Sequence, residues 1–261
     1  MDLGLTGSRA LITGGSRGIG YAIAEALAAE GVSVGLVARD PGGLADAAGR
    51  LETRGAKVVT VAADVMDTAA LAGAVDEIAA GLGGLDLLVA NAGGTVGGGN
   101  ITESEPGSFT ATFALNAGHA AELIRAGRSH LRAAGGGSVV IISSVTGMLP
   151  APRTAYAAAK AAEIHLAATA AQELGPENIR VNAVSPGSIL FPGGGWDSFS
   201  RNSPEDFARF VEVDFPFGRL GRLDEVADVV TFVLSKRASW VTGANIAVDG
   251  AQIYPSARRF R

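Results

Sequence analysis

The 261-residue chain contains no cysteine, so it can form no disulfide, thiolate metal site or cysteine nucleophile. A reducing cytoplasm suits such a composition. No run of eighteen apolar residues occurs, and Met1-Asp2-Leu3-Gly4 lacks a basic segment leading into an apolar core, so neither a membrane span nor a secretory leader is expected. The formal charge of −5 offers no broad basic field for nucleic acid. Arg258, Arg259 and Arg261 gather at the end, where three charges on a tail read as solvated. His119, His130 and His165 are the only histidines, at spacings that suit no metal site, and His119 alone falls near the candidate chemistry described below.

What is present is a hydrophobic content of 48%, enough for a compact folded chain rather than a disordered one. Short β-branched runs at 10–13, 32–37, 57–62, 85–90, 138–143, 179–183 and 245–248 read as strands. Between the earlier ones, 19–30, 42–53 and 68–81 carry apolar residues at helical spacing. Continuous apolar strands alternating with amphipathic helices predict a doubly wound α/β fold, a parallel sheet covered on both faces. No compositional break divides the chain, so a single domain over 1–261 is expected. The stretch 187–221, irregular and rich in glycine, proline and aromatics, is the candidate substrate lid.

Tyr156 and Lys160 stand four residues apart, with Ser144 twelve residues upstream. On a helix, residues i and i+4 share a face, so the Lys160 ammonium can favour ionisation of the Tyr156 phenol, otherwise a poor acid or base at neutral pH. Proton-transfer catalysis needs a group brought toward the working pH in this way. The first βα turn reads Thr13-Gly14-Gly15-Ser16-Arg17-Gly18-Ile19-Gly20. After a strand and opening a helix, such a turn lets the backbone approach a pyrophosphate at the helix amino terminus.

With T-G-x-x-x-G-x-G at 13–20, Asn91-Ala92-Gly93, Ser144, Tyr156-x-x-x-Lys160 and Pro186-Gly187 in order at successive strand ends, the chain resembles the short-chain dehydrogenase/reductase family over nearly its whole length. The resemblance implies a seven-stranded Rossmann-type sheet and hydride transfer with a nicotinamide cofactor. It implies a catalytic set of Ser144, Tyr156 and Lys160, completed by Asn116. Tyr156 would exchange a proton with the substrate oxygen, and Ser144 would hydrogen-bond that oxygen as charge develops on it. Lys160 would acidify Tyr156 and hold the nicotinamide ribose, with Asn116 anchoring a water in a relay through Lys160. Ser143 is expected to point elsewhere, because strand side chains alternate. The cofactor would meet Gly14, Ser16, Arg17, Gly18, Ile19 and Gly20 at the turn. Asp64 and Val65 would lie at the adenine. Further contacts would come from Asn91, Ala92, Gly93, Pro186, Gly187 and the backbone of Ile189.

Cofactor choice turns on the end of the second strand, Leu36-Val37-Ala38-Arg39. NAD-preferring relatives usually carry an acid where this chain has Ala38. Arg39 follows, with Arg17 nearby, and two guanidiniums can bind a 2′-phosphate. Asp40, one residue further on, should turn away. NADP(H) is therefore expected over NAD(H), and no metal.

For substrate, the resemblance brings 3-oxoacyl carrier-protein reductases to mind, whose carrier-binding arginines would fall here at Gly135 and Glu177, with Arg132 the only nearby substitute. An acid at 177 should repel an acidic carrier. Trp196, Phe199, Phe207 and Phe210 are candidates for an apolar pocket or for lid core. A small hydrophobic ketone or secondary alcohol is the expected substrate. An acyl-carrier substrate, an NAD-linked alcohol or polyol dehydrogenase, and a non-catalytic NADP sensor stand as alternatives. The resemblance also implies a homotetramer, or a dimer, assembled in part through the Ala-rich face over 157–171.

Overall fold

A computed structural model describes residues 2–97 and 99–257. The clustered arginines 258, 259 and 261 lie outside the described residues. Seven strands form one parallel sheet in the order β3-β2-β1-β4-β5-β6-β7. They are β1 (Arg9–Thr13), β2 (Ser33–Ala38), β3 (Val58–Ala62), β4 (Leu87–Ala90), β5 (Gly137–Ile142), β6 (Ile179–Pro186) and β7 (Asn245–Val248). The intervening helices are α1 (Gly18–Ala29), α2 (Pro41–Glu52), α3 (Thr68–Leu82), α4 (Ser108–Phe113), α5 (His119–Ala133), α6 (Thr154–Leu174), α7 (Gly195–Asn202), α8 (Pro204–Asp214) and α9 (Leu223–Leu234).

Alternation along each strand decides which face every side chain joins. Ile12, Val34, Leu36, Val89 and Val140 pack with Ile23 and Leu27 of α1 and Val226 and Val230 of α9. Leu11, Val37, Leu88, Val139 and Ile141 pack the opposite way, against Ile78 of α3, Leu123 of α5 and Leu174 of α6. Both faces are therefore closed, which is why the strands read as unbroken apolar runs. Truncating one such leucine to alanine costs about 2–5 kcal/mol.

Two aspartates start helices with their side chains. Asp40 accepts from the backbone N–H groups of Gly42 and Gly43 at 3.1 Å each, and Pro41 follows at the first helical position. Asp67 does the same for α3 through Ala69 and Ala70. Strands and early helices fall within a few residues of the sequence expectation. The 187–221 segment does not match its description as irregular, because α7 and α8 lie inside it. Its sequence hid them: α7 begins in Gly193-Gly194-Gly195, and only Ser203 separates it from Pro204, the first residue of α8.

Candidate active site

Strand β1 lies between β2 and β4 in the sheet, so the chain crosses to opposite sides at this point and opens a crevice beyond the strand ends. A cavity of about 1120 Å³ fills it. Its walls include Gly14, Ser16, Arg17, Gly18 and Ile19 from the first turn, Arg39 and Asp40 after β2, Asp64 and Val65 after β3, and Asn91, Ala92 and Gly93 after β4. Ser144, Tyr156, Lys160, Pro186 and Gly187 close the other end. Residues far apart in sequence thus line one trough.

Three of the expected contacts sit elsewhere. Gly20 is buried under the first turn, where an added Cβ would fall 2.3 Å from the Gly14 carbonyl and 2.5 Å from Asn91 Nδ2. Asn91 explains that crowding, since its Nδ2 donates to the carbonyls of Thr13 (2.9 Å) and Gly14 (3.2 Å) and ties β4 to the turn. Ile189 borders a separate cavity of about 340 Å³. There a parallel bridge to Gly221 holds it through the neighbouring Ser188 carbonyl and Leu190 N–H.

Asn116, the third, lies in a π-helical turn (Ala114–Gly118) between α4 and α5 and is fully buried. Its Nδ2 donates to the carbonyls of Gly94 (2.8 Å) and Thr112 (2.6 Å), and its Oδ1 accepts from Gly94 N (3.2 Å). The amide therefore clips the loop after β4 to the helix.

Near the reacting end, the two serines have different surroundings. Ser143 is buried and its Oγ donates to the Lys160 carbonyl at 2.7 Å, whereas Ser144 is half-exposed in the cavity and accepts from Thr146 N at 3.2 Å. Lys160 Nζ sits 5.5 Å from the Tyr156 ring centre and donates to the Ile142 carbonyl at 2.9 Å. It also donates to Glu163 Oε1 at 3.0 Å, and both partners are almost wholly buried. Burial opposes the Lys160 charge, but Glu163 and Tyr156 outweigh it and hold the ammonium above its ordinary pKa. Burial pushes the Glu163 carboxyl up, against the pull of Lys160.

At the opposite end, Arg17 and Arg39 are exposed. Asp40 lines the same wall with both carboxylate oxygens engaged in the α2 cap, and it forms no ion pair with either arginine among the described residues. The α1 amino terminus opens at Gly18 on the cavity wall and adds a partial positive charge. Asp64 is half of a local turn, with Oδ1 accepting from Met66 N at 3.0 Å. Backbone approach at the glycine turn, a helix terminus and two guanidiniums together suit the phosphates of a dinucleotide.

Comparison with known proteins resolves the family. Residues 14–251 match the family model described as "Enoyl-(Acyl carrier protein) reductase". The chain belongs to the short-chain dehydrogenase/reductase family. Isoepoxydon dehydrogenase of Penicillium expansum is 34% identical over 255 residues, covering 96% of each protein. The 2-(S)-hydroxypropyl-CoM dehydrogenase 3 of Xanthobacter autotrophicus is 36% identical, over 92% of this chain and 94% of the relative. Among solved structures, L-sorbose reductase from Gluconobacter frateurii, complexed with NADPH and L-sorbose, superposes with a TM-score of 0.90 at 33% identity, over 97% of this chain and 99% of that one. A 7α-hydroxysteroid dehydrogenase complexed with NADH and 7-oxo glycochenodeoxycholic acid gives a TM-score of 0.90 at 30% identity, over 98% of both chains. This short-chain dehydrogenase/reductase is an oxidoreductase of CH–OH and C=O groups that uses a nicotinamide cofactor.

Three residues important to the site's architecture escaped the sequence reading or were left without a role. His119 is buried, with Nδ1 facing the Asn116 carbonyl at 3.2 Å and Nε2 facing Thr13 Oγ1 at 2.9 Å. Burial and the nearby Lys160 lower its pKa to about 4, so it is neutral. Gln252, beyond β7, accepts from Ser188 N at 2.8 Å and fixes the chain just after Gly187. Glu163 was passed over on an Ala-rich helix, although an acid three residues from Lys160 on such a helix was the available signal.

The aromatic candidates pack into a small core within the 187–221 segment and do not line the cavity. Trp196 stacks on Phe210 at 4.8 Å, and Phe199, Phe207 and Phe215 pack edge-on around them. Glu177 is no isolated acid either. Arg128 pairs with it and Arg132 approaches to 3.4 Å, so the acid is matched by two guanidiniums across the turn.

Proposed function

We propose that the chain is an NADP(H)-dependent oxidoreductase that interconverts a ketone with an apolar body and its secondary alcohol. The observation that carries the cofactor preference is the pair Arg17 and Arg39 at the cavity mouth, with Ala38 in place of an acid and Asp40 turned into its helix cap. A doubly charged 2′-phosphate would find two cations there, with the Asp40 carboxylate held by its helix cap. When bound, the nicotinamide supplies or accepts the hydride.

The chain's own groups handle the proton and the oxygen. Tyr156 stands over the cavity with the Lys160 ammonium behind its ring and gives a proton to the substrate oxygen in reduction, or takes it in oxidation. Ser144, whose hydroxyl oxygen already accepts from Thr146 N, has its own O–H available to donate to that oxygen. Leu115, Ile142 and Phe191 offer apolar surface in the same cavity, which supports an apolar substrate. The segment 187–221, with its aromatic core, is the proposed lid.

A homotetramer or dimer is part of the same reading. Ala158, Ala161, His165 and Thr169 form an exposed, small and mostly uncharged stripe on α6, which suits close helix packing between copies. Light scattering that returned a monomer would count against it. For the activity, reduced-nicotinamide absorbance is followed with a panel of ketones and β-keto esters, using NADPH and NADH in parallel. Turnover that prefers NADPH and disappears in Tyr156→Phe supports the proposal, and a clear NADH preference overturns its cofactor assignment.

A further inference from the structure

We propose that Glu163 is a positioning residue for the reaction, the buried counter-ion that keeps Lys160 an ammonium and aims it. Both Glu163 carboxylate oxygens approach Lys160 Nζ, at 3.0 Å each. The side chains of Lys160 and Glu163 are only 3% and 1% exposed. A lysine buried to this degree loses its proton readily unless a carboxylate stands beside it, because the charged form is stripped of its hydration.

The other groups around Lys160 do not supply that compensation. Ile142 offers a carbonyl at 2.9 Å, which orients the amine without carrying charge. The Ser143 hydroxyl is spent on the Lys160 carbonyl. Tyr156, on the same helix, presents the face of its ring 5.5 Å away. His119, reaching in from α5, is buried and neutral, and as a cation it would repel the ammonium. Glu163 is thus the one acid facing Lys160 among the described groups named here.

Glu163 also fixes direction. With Glu163 on the following turn of α6 and Ile142 at the end of β5, the amine is held between helix and strand, beside Asn116 Oδ1 and the Gly93 backbone. The Lys160 amine is therefore oriented by groups of the protein itself. Removing the carboxylate would lower the Lys160 pKa and loosen the aim of its amine, weakening both its hold on a ribose hydroxyl and its field on the phenol.

The inference rests on reading Tyr156 and Lys160 as the reacting pair, but its test does not need turnover. The chain has three lysines, Lys57, Lys160 and Lys236, of which the first and last are exposed. Lysine labelled with ¹³C and ¹⁵N gives few enough side-chain signals to titrate each by NMR, with Lys160 assigned by its loss in Lys160→Met. In the unmodified protein Lys160 should titrate above the two exposed lysines. In Glu163→Gln its midpoint should fall by at least about two pH units, with Glu163→Asp between the two. An unchanged Lys160 midpoint in Glu163→Gln overturns the proposal. Should the glutamine variant not fold, a wild-type Lys160 that titrates below the exposed lysines overturns it alone. Absence of turnover in the wild-type protein would count against the reductase reading and leave the lysine result standing.

Discussion

His119 Nε2 lies 2.9 Å from Thr13 Oγ1, joining the start of α5 to the end of β1 directly beneath the glycine turn. With Nδ1 facing the Asn116 carbonyl, the proton belongs on Nδ1, and Nε2 accepts from the threonine hydroxyl. That hydroxyl in turn accepts from Asn91 N at 3.0 Å and Ala92 N at 3.2 Å, and the Val89 carbonyl at 3.3 Å is a second acceptor for its one proton. Protonating His119 breaks this arrangement.

Acid should therefore weaken the fold through His119. Its pKa falls from an unfolded value of 6.5 to about 4, so the unfolded chain binds a proton that the folded one refuses. The stability contribution is complete above pH 6.5, declines as pH falls toward 4 and is lost below, a span worth about 3 kcal/mol. Denaturant titrations between neutral pH and pH 4.5 should show this slope in the wild type. His119→Gln should flatten it, and an equal slope in both proteins would refute the assignment.

Ser143 and Ser144 should separate by which quantity they change. Ser144→Ala removes a donor aimed into the cavity and should lower kcat by about 100-fold or more with little change in melting temperature. Ser143→Ala loses the bond to the Lys160 carbonyl and should cost about 1 kcal/mol of stability, with a smaller kinetic effect. Steady-state kinetics and thermal melts on the pair decide, and interchanged effects would reverse the roles.

Gly93 permits the closest approach in the site. A Cβ there would stand 2.7 Å from Asn116 Oδ1 and 3.1 Å from Lys160 Nζ, both held in buried hydrogen bonds. Gly93→Ala should displace one of them and lower kcat/KM by about 10-fold or more, since misplacement of about 1 Å can cost two orders of magnitude. Wild-type kcat/KM in a folded Gly93→Ala protein would show that the site tolerates the shift.

Arg39→Ala and Arg17→Ala should each weaken NADPH binding by about 10-fold while leaving NADH nearly unchanged, because one charge-assisted contact is worth about 1.5 kcal/mol or more. Fluorescence titration with both cofactors measures the ratio. Equal losses for NADH and NADPH would place the arginines on the shared pyrophosphate instead.

The sheet was legible because its signals are local: Leu87–Ala90 is apolar on both faces, and Asp40 and Asp67 mark helix starts by side-chain chemistry. The lining of the cavity followed from the motif register, as with Ser144, Tyr156 and Lys160. The 187–221 segment resisted reading because α7 and α8 are short and their apolar residues face one another rather than the sheet. Their aromatics satisfy the composition of a pocket and the composition of a small core equally well. The Arg128 and Arg132 contacts to Glu177 join α5 to the turn after α6, a pairing that spacing along the chain does not encode. Glu163 was missed for a related reason, since its burial depends on the packing of α6 against β5 and the loop after β4.

The strand order has a consequence for how this protein comes off the ribosome. Ala10 of β1 pairs on one side with Val34 and on the other with Leu87, so the crevice is enclosed only after a contact spanning most of the first third of the chain has formed. Gly187, on the far wall, is presented by β6, whose partner β7 is made well after it. A growing chain can therefore bury apolar surface early while possessing no complete nucleotide trough. Any ligand that fills the trough binds only finished molecules, and by mass action shifts the population away from partly folded ones.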